Sequence, residues 1–205
     1  MKLDLDDIQK YIPQYLASED QRKLVDELRS ISSGGHASYI LSKYNDHFQE
    51  EMLQGDGWHG FRAFMFHSGE KRSVKGLVLS NSCDVDPANP RDVPSKVTFA
   101  PLVKLSAFER VLAASGIDNQ RILKKIDAIK SQKTTNIFYI PSSGTLAEDH
   151  IVRLDEVYTM PVADHFKCED RGKIFTLSNT GFYMFVFKLS VHFCRLQEKV
   201  IRGFS

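Results

Sequence analysis

The segment Ser73–Lys104, SVKGLVLSNSCDVDPANPRDVPSKVTFAPLVK, constrains the fold more than any other stretch. It reads as strand, polar elbow, loop and strand. Val74 to Leu79 is β-branched and aliphatic, which favours an extended, half-buried backbone. Ser80-Asn81-Ser82-Cys83-Asp84 then places five small polar residues at its end. Asp86-Pro87 and Asn89-Pro90 break regular structure, because Pro fixes its own φ and pushes the residue before it out of the helical region. Lys96 to Ala100 resumes an extended pattern.

The flanks extend this unit. Phe61 to His67 is rich in aromatics, and Ser68-Gly69-Glu70-Lys71 is a turn, so these residues and Val74–Leu79 predict a hairpin. Leu105–Ser115 reads as a helix stopped by Gly116. Asp118 caps a second helix with Ile122, Ile126 and Ile129 along one face. Its other face carries Arg121, Lys124, Lys125 and Lys130, with Lys133 beyond. Strands are expected at Asn136–Ile140, His150–Tyr158 and Lys173–Leu177. Ser178 or Asn179 then opens a helix over about 180–201. That helix is apolar around most of its circumference, which predicts burial or cover by a partner, a homodimer being the expected form.

The N-terminal part differs in character. A short helix is expected at 4–16. Ser18-Glu19-Asp20-Gln21 is a capping box, opening a helix to about Ile31. Ser32-Ser33-Gly34-Gly35 is the best linker in the chain. It divides an acidic helical extension, 1–35, from a body at 36–205 with a helical insert at about 105–133. A helix is slightly favoured over 38–53. Residues 1–60 hold 6 Lys/Arg and 11 Asp/Glu, a balance of −5, so the remainder carries +6 of the net +1. The split suggests an acidic cover beside a basic, anion-binding body.

Three cysteines, with no C-x-x-C pair, suit a reducing cytosol better than a disulfide framework. MKLDLDD lacks the basic and apolar regions of a signal peptide. The longest apolar run, Gly181–Cys194, carries Lys188 and His192 and falls short of a membrane span. A cytoplasmic protein without membrane contact is expected.

Candidate chemistry centres on the elbow. Cys83, flanked by Ser82 and Asp84, would be a nucleophile if a base lay in reach, and His67 is the nearest candidate in the hairpin. The competing expectation makes Cys83 a small buried residue and Asp84 a loop cap. His67, Cys83, His165 and Cys168 contain only one close pair, so no metal or other cofactor is expected. Lys71, Arg72, Lys75, Lys96 and Lys104 are expected around one mouth of the sheet, where they would bind phosphates. Trp58, Phe61 and Phe64 would stack unpaired bases.

The order of hairpin, KGLVLSN, loop, KVTFAPLV, helical insert, NIFYIPSSGTLAEDHIVRLDEVYTM and C-terminal helix resembles the MazF/PemK-like toxin family over residues 60–200. The motifs that carry it are a basic residue before an apolar strand ending in Ser-Asn, an Ala-Pro-Leu turn, Gly144-Thr145-Leu146-Ala147-Glu148-Asp149, and Val152-Arg153-Leu154-Asp155-Glu156-Val157-Tyr158-Thr159. The resemblance implies an α+β fold: an SH3-like, strongly bent antiparallel β-barrel with a C-terminal helix packed on it. It implies a dimeric, metal-independent endoribonuclease acting on single-stranded RNA in toxin–antitoxin defence, with an antitoxin or other protein as partner. The ribose 2′-hydroxyl is the nucleophile in that family, an Arg stabilises the phosphate charge, and a Ser or Thr assists. Those positions fall at Lys75 and near Val103. Lys neutralises phosphate without the guanidinium fork, and Val donates no hydrogen bond. The alternative is therefore an inactive barrel that binds a partner protein or nucleic acid.

Overall fold

The computed structural model describes residues 26, 39–41, 49–89 and 91–194. Apart from helical Asp26, the helices expected at 4–16 and 18–31, the linker and the boundary at 35 lie outside the described residues, as does everything beyond 194.

The protein is a mixed α/β structure built on a seven-stranded antiparallel sheet. In chain order come β1 (Gly57–Met65), β2 (Glu70–Val78), α1 (Ser82–Val85), β3 (Lys96–Lys104), α2 (Leu105–Ala114), α3 (Asn119–Lys130), β4 (Ile137–Ile140), β5 (His150–Arg153), β6 (Tyr158–Pro161), α4 (Val162–Phe166), β7 (Gly172–Phe175) and α5 (Asn179–Cys194). The path runs β4-β5-β3-β2-β1-β7, with β6 on β3. Among the described residues no strand pair closes this path, so the sheet is open and not the barrel expected from the resemblance.

Local signals behave as expected around the insert. Gly116 takes φ 75° after α2, and the Asp118 carboxylate accepts from the Gln120 and Arg121 amides. The predicted hairpin forms as β1–β2.

Two further expectations fail. The helix favoured over 38–53 is absent from its described residues. Tyr39–Leu41 is extended instead, with Ile40 bridging Leu177, and Tyr39 and Ile40 are buried in the core. The stretch is locally ambiguous, and burial of Tyr39 and Ile40 against the chain before α5 decides for an extended backbone. The single strand expected over His150–Tyr158 is two. β5 pairs with Leu102–Lys104 and β6 with Lys96–Phe99, on the same edge of β3. Between them Leu154 turns inward, fully buried, while Arg153 grips Asp155 and Glu156 at 3.0 and 3.2 Å.

Three apolar clusters result. One lies between the sheet and α5, around Phe138, Phe175 and Phe185. A second lies beneath the hairpin, around Trp58, Phe61, Phe99 and Met160. The third joins α2 and α3 to β4 and β5 through Ile122, Ile129 and Ile151. Much of the apolar circumference of α5 is thus covered by its own chain, although Phe193 is exposed.

Lys188 of α5 is 2% exposed, and among the described residues it has no carboxylate against it. Its nitrogen lies within hydrogen-bond reach of Gln132 O (3.1 Å), Gln132 Oε1 (2.9 Å), Thr134 O (2.7 Å) and Ile137 O, four acceptors for its three N–H groups. Those carbonyls belong to the chain leaving α3, where Gln132 adopts φ 57°. The Gln132 amide also donates to Tyr139 O at 2.7 Å. One lysine therefore ties the insert, β4 and α5 together.

Burial pushes the Lys188 ammonium down to about 7, while the carbonyl cage works against that pull. Lys188→Met should destabilise by roughly 1–3 kcal/mol, because buried carbonyls lose their donor. The folded pKa lies below that of the unfolded lysine, near 10.4, so the unfolded state binds more protons between about pH 7 and pH 10 and wild-type stability rises across that window. Urea unfolding at several pH values should show the gap between wild type and Lys188→Met widening as pH rises from 7 to 9.

Candidate nucleic-acid interface

Strand alternation divides the β1–β2 hairpin into two faces. Phe61 pairs with Val74 and Ala63 with Arg72, and this face turns to the core. Arg62 pairs with Ser73 and Phe64 with Lys71, on the outward face. Lys75 belongs to the same face, two residues beyond Ser73. Lys71, Ser73 and Lys75 are all exposed.

At the tip Phe64 and Phe66 meet edge to face, with ring centroids 5.0 Å apart. Phe66 is 88% exposed and Phe64 42%. Two large apolar rings in water at a hairpin tip bury little on folding.

The centre of the face is ionic. Asp170, in the loop between α4 and β7, accepts from both terminal nitrogens of Arg62, at 2.9 and 3.1 Å. The Ser73 hydroxyl donates to the same carboxylate at 2.6 Å. These bonds, Arg62 first, hold Asp170 well below the usual carboxylate range.

The Asp170 loop is clamped by its neighbour. The Arg171 guanidinium lies over the Phe166 and Trp58 rings, 4.2 and 4.8 Å from their centroids. It also donates to Glu50 O at 2.9 Å and Glu50 Oε2 at 3.0 Å. Gly60 makes this packing possible. It sits in the β1 bulge at φ 88°, and a Cβ there would lie 3.0 Å from Arg171 Cα.

The bulge also places His59 at the edge of the face. Its carbonyl accepts from His165 Nε2 at 3.0 Å, and His165 is buried and stacked on Phe61. Burial, and then the Lys75 charge, hold the His59 imidazole below its usual value against an opposing pull from Asp170. His59 is therefore mainly neutral at pH 7 and able to accept a proton.

The expected residues distribute unevenly. Lys71 and Lys75 share the outward face. Arg72 alternates to the other side and pairs with Glu70 at 2.7 Å. Lys96 and Lys104 stand at opposite ends of nine-residue β3, about 26 Å apart at 3.3 Å per residue, and Lys104 pairs with Glu148 at 2.5 Å. Lys96 and Lys104 therefore do not both stand at one mouth with the hairpin lysines. Trp58 and Phe61 are buried in the core and offer no stacking surface, leaving Phe64 of the expected three.

His67 lies in the exposed turn after β1, and Cys83 beyond the far end of β2. The nine residues of β2 separate them by roughly 26 Å, so His67 is no base for Cys83. Cys83 is exposed rather than buried. The elbow's polar groups serve the backbone. Ser80 Oγ accepts from the Thr98 amide at 2.8 Å and Ser82 Oγ from the Gln54 amide at 2.9 Å. Asn81 Oδ1 caps α1 through the Cys83 amide, and Asp84 pairs with Arg91 at 2.7 Å. Val103 packs beside the insert's cluster. Among the described residues no group of three His, Cys, Asp or Glu is placed to hold a metal ion.

No local motif in the sequence marks His59, Arg62, Ser73, Asp170 or Phe66 as site residues. The alternation Lys71-x-Ser73-x-Lys75 was the one available signal for the face. No family model matches the chain, and no curated protein matches it.

The elbow should behave as a structural element. Ser80→Ala is expected to cost about 1–2 kcal/mol by leaving the Thr98 amide without its acceptor. Cys83→Ala, at an exposed site, should stay within about 0.5 kcal/mol of wild type. Thermal and urea unfolding of both variants measure the contrast.

Proposed function

We propose that the protein acts on single-stranded RNA through the outward face of the β1–β2 hairpin, as a MazF/PemK-like toxin or defence protein with an SH3-like core. The observation that carries the proposal is the combination on one exposed strand face of Lys71, Lys75 and Arg62 with the Phe64–Phe66 pair. Cations that follow a phosphate backbone, beside rings on which unpaired bases stack, are what sequence-tolerant single-strand binding requires.

In this proposal Lys75 takes the family's arginine position and neutralises a phosphate. Neutral His59 accepts the ribose 2′-hydroxyl proton as that oxygen attacks phosphorus, and the 5′-oxygen leaves with a proton from solvent. In this proposal the protein acts as a homodimer. The acidic N-terminal part would screen the basic face, and an antitoxin or other protein would bind it.

A second reading, an RNA- or protein-binding module without cleavage, is favoured by the Asp170 carboxylate already held on Arg62 and Ser73 and by apolar Val103.

Fluorescence anisotropy with short single-stranded RNA in chelator tests the proposal. Wild type should bind in a salt-dependent way. Lys75→Ala should flatten the log–log salt slope by about one, and Phe66→Ala should weaken binding by about 1–3 kcal/mol, the worth of one stacked base. Absence of binding at low salt would end the proposal. Cleavage that is lost in His59→Ala selects the endoribonuclease, and binding without cleavage selects the module.

A further inference from the structure

The Arg62–Asp170–Ser73 contact has the form of a filled anion site. Both nitrogens of the Arg62 fork and the Ser73 hydroxyl converge on one carboxylate at 2.6–3.1 Å. The Arg62 and Asp170 side chains remain 40% and 48% exposed, so the pair is reachable from solvent. The Asp170 loop is already anchored by Arg171 on Phe166, Trp58 and Glu50. Solvent screens an exposed ion pair, and the two-pronged geometry here is what lets it contribute. It lies on the same strand face as Lys71 and Lys75, between them along β2.

A carboxylate presents two oxygens to a guanidinium as the non-bridging oxygens of a phosphodiester do. We infer that Arg62 and Ser73 form a phosphodiester-binding subsite, occupied in the free protein by the chain's own Asp170, which a nucleic-acid backbone displaces. Asp170 is then an internal competitor that sets affinity. Its removal frees one two-pronged donor and one hydroxyl and cancels one negative charge on the face. This inference rests on the single-stranded RNA reading for its physiological ligand, but the subsite can be tested without it.

Asp170→Asn keeps the side-chain shape and removes the charge. Asp170→Ser repeats the test with a smaller group should the first variant fold poorly. Asp155→Asn is the charge control, since Asp155 pairs with Arg153 rather than Arg62. Two probes are used: a single-stranded RNA 12-mer followed by anisotropy, and inorganic pyrophosphate followed by NMR of the arginine side chains.

RNA affinity should rise by about tenfold in Asp170→Asn, the scale of one freed charge-assisted pair, with a salt slope steeper by about one. Asp155→Asn should stay within about twofold of wild type, because an exposed single charge off the face is screened. Adding Arg62→Ala to Asp170→Asn should abolish the gain. If RNA binds neither protein but pyrophosphate binds Asp170→Asn and shifts the Arg62 resonance, the subsite stands and the RNA reading falls. If wild type binds RNA and Asp170→Asn binds it no better than Asp155→Asn, the subsite is overturned and the RNA reading stands. Failure of both probes to gain overturns the subsite.

Discussion

The structure depends on the double duty of β3. Val78 pairs with Phe99 on one edge of this strand, and Tyr158 pairs with the same residue on the other. Farther along, Leu102–Lys104 hands the second edge to β5. One nine-residue strand therefore joins the hairpin and β7 on one side to β4, β5 and β6 on the other. Ala100 and Pro101 lie where the second edge passes from β6 to β5. Pro101 has no N–H to give a ladder, so the interruption of the flanking chain falls where the backbone has least to offer. Leu154 uses that interruption to enter the core.

A buried ion pair fixes where the hairpin starts. Asp56 and Lys173 meet at 2.8 Å with side chains 0% and 3% exposed. The same carboxylate accepts from the Leu53 amide. Burial raises the Asp56 pKa, and the Lys173 charge opposes it. Losing either partner would leave a buried lone charge, a cost of about 3–5 kcal/mol. The pair thus joins the residue before β1 to β7, the strand that follows the Asp170 loop. The Lys173 ammonium and the Arg171 guanidinium both lie over the Trp58 ring, at 5.2 and 4.8 Å. Core packing, ionic pairing and the outward face are in this way one construction: Trp58 is buried so that Arg171 can hold the loop that carries Asp170.

The two clusters of polar residues that draw attention in the sequence have opposite fates. Ser80–Asp84 has the composition of a reactive elbow, yet its hydroxyls accept backbone amides across the turn. A hydroxyl used that way satisfies a backbone amide where the chain turns sharply at the sheet edge. The hairpin has a plainer composition, and its outward face gathers the unburied cations and rings. The bonds their side chains already make, rather than residue type, separate them.

Features set by neighbouring residues were legible in the chain alone. The hairpin, the β3 extension, the Gly116 stop and the Asp118 cap follow from periodicity and turn chemistry, which act over a few positions. Lys71 and Lys75 were legible as phosphate-facing candidates for the same reason. Features set by distant contacts were not. Arg62 and Asp170 are 108 residues apart, and no local pattern connects them. Tyr39 and Ile40 looked helical until the chain ahead of α5 claimed them as an edge. The sequence by itself determined which segments could be strands and helices, because backbone preference and side-chain period are local. Only the tertiary structure decided which edge each strand took, which rings were buried and which carboxylate reached Arg62, because those depend on what packs against what across the sheet.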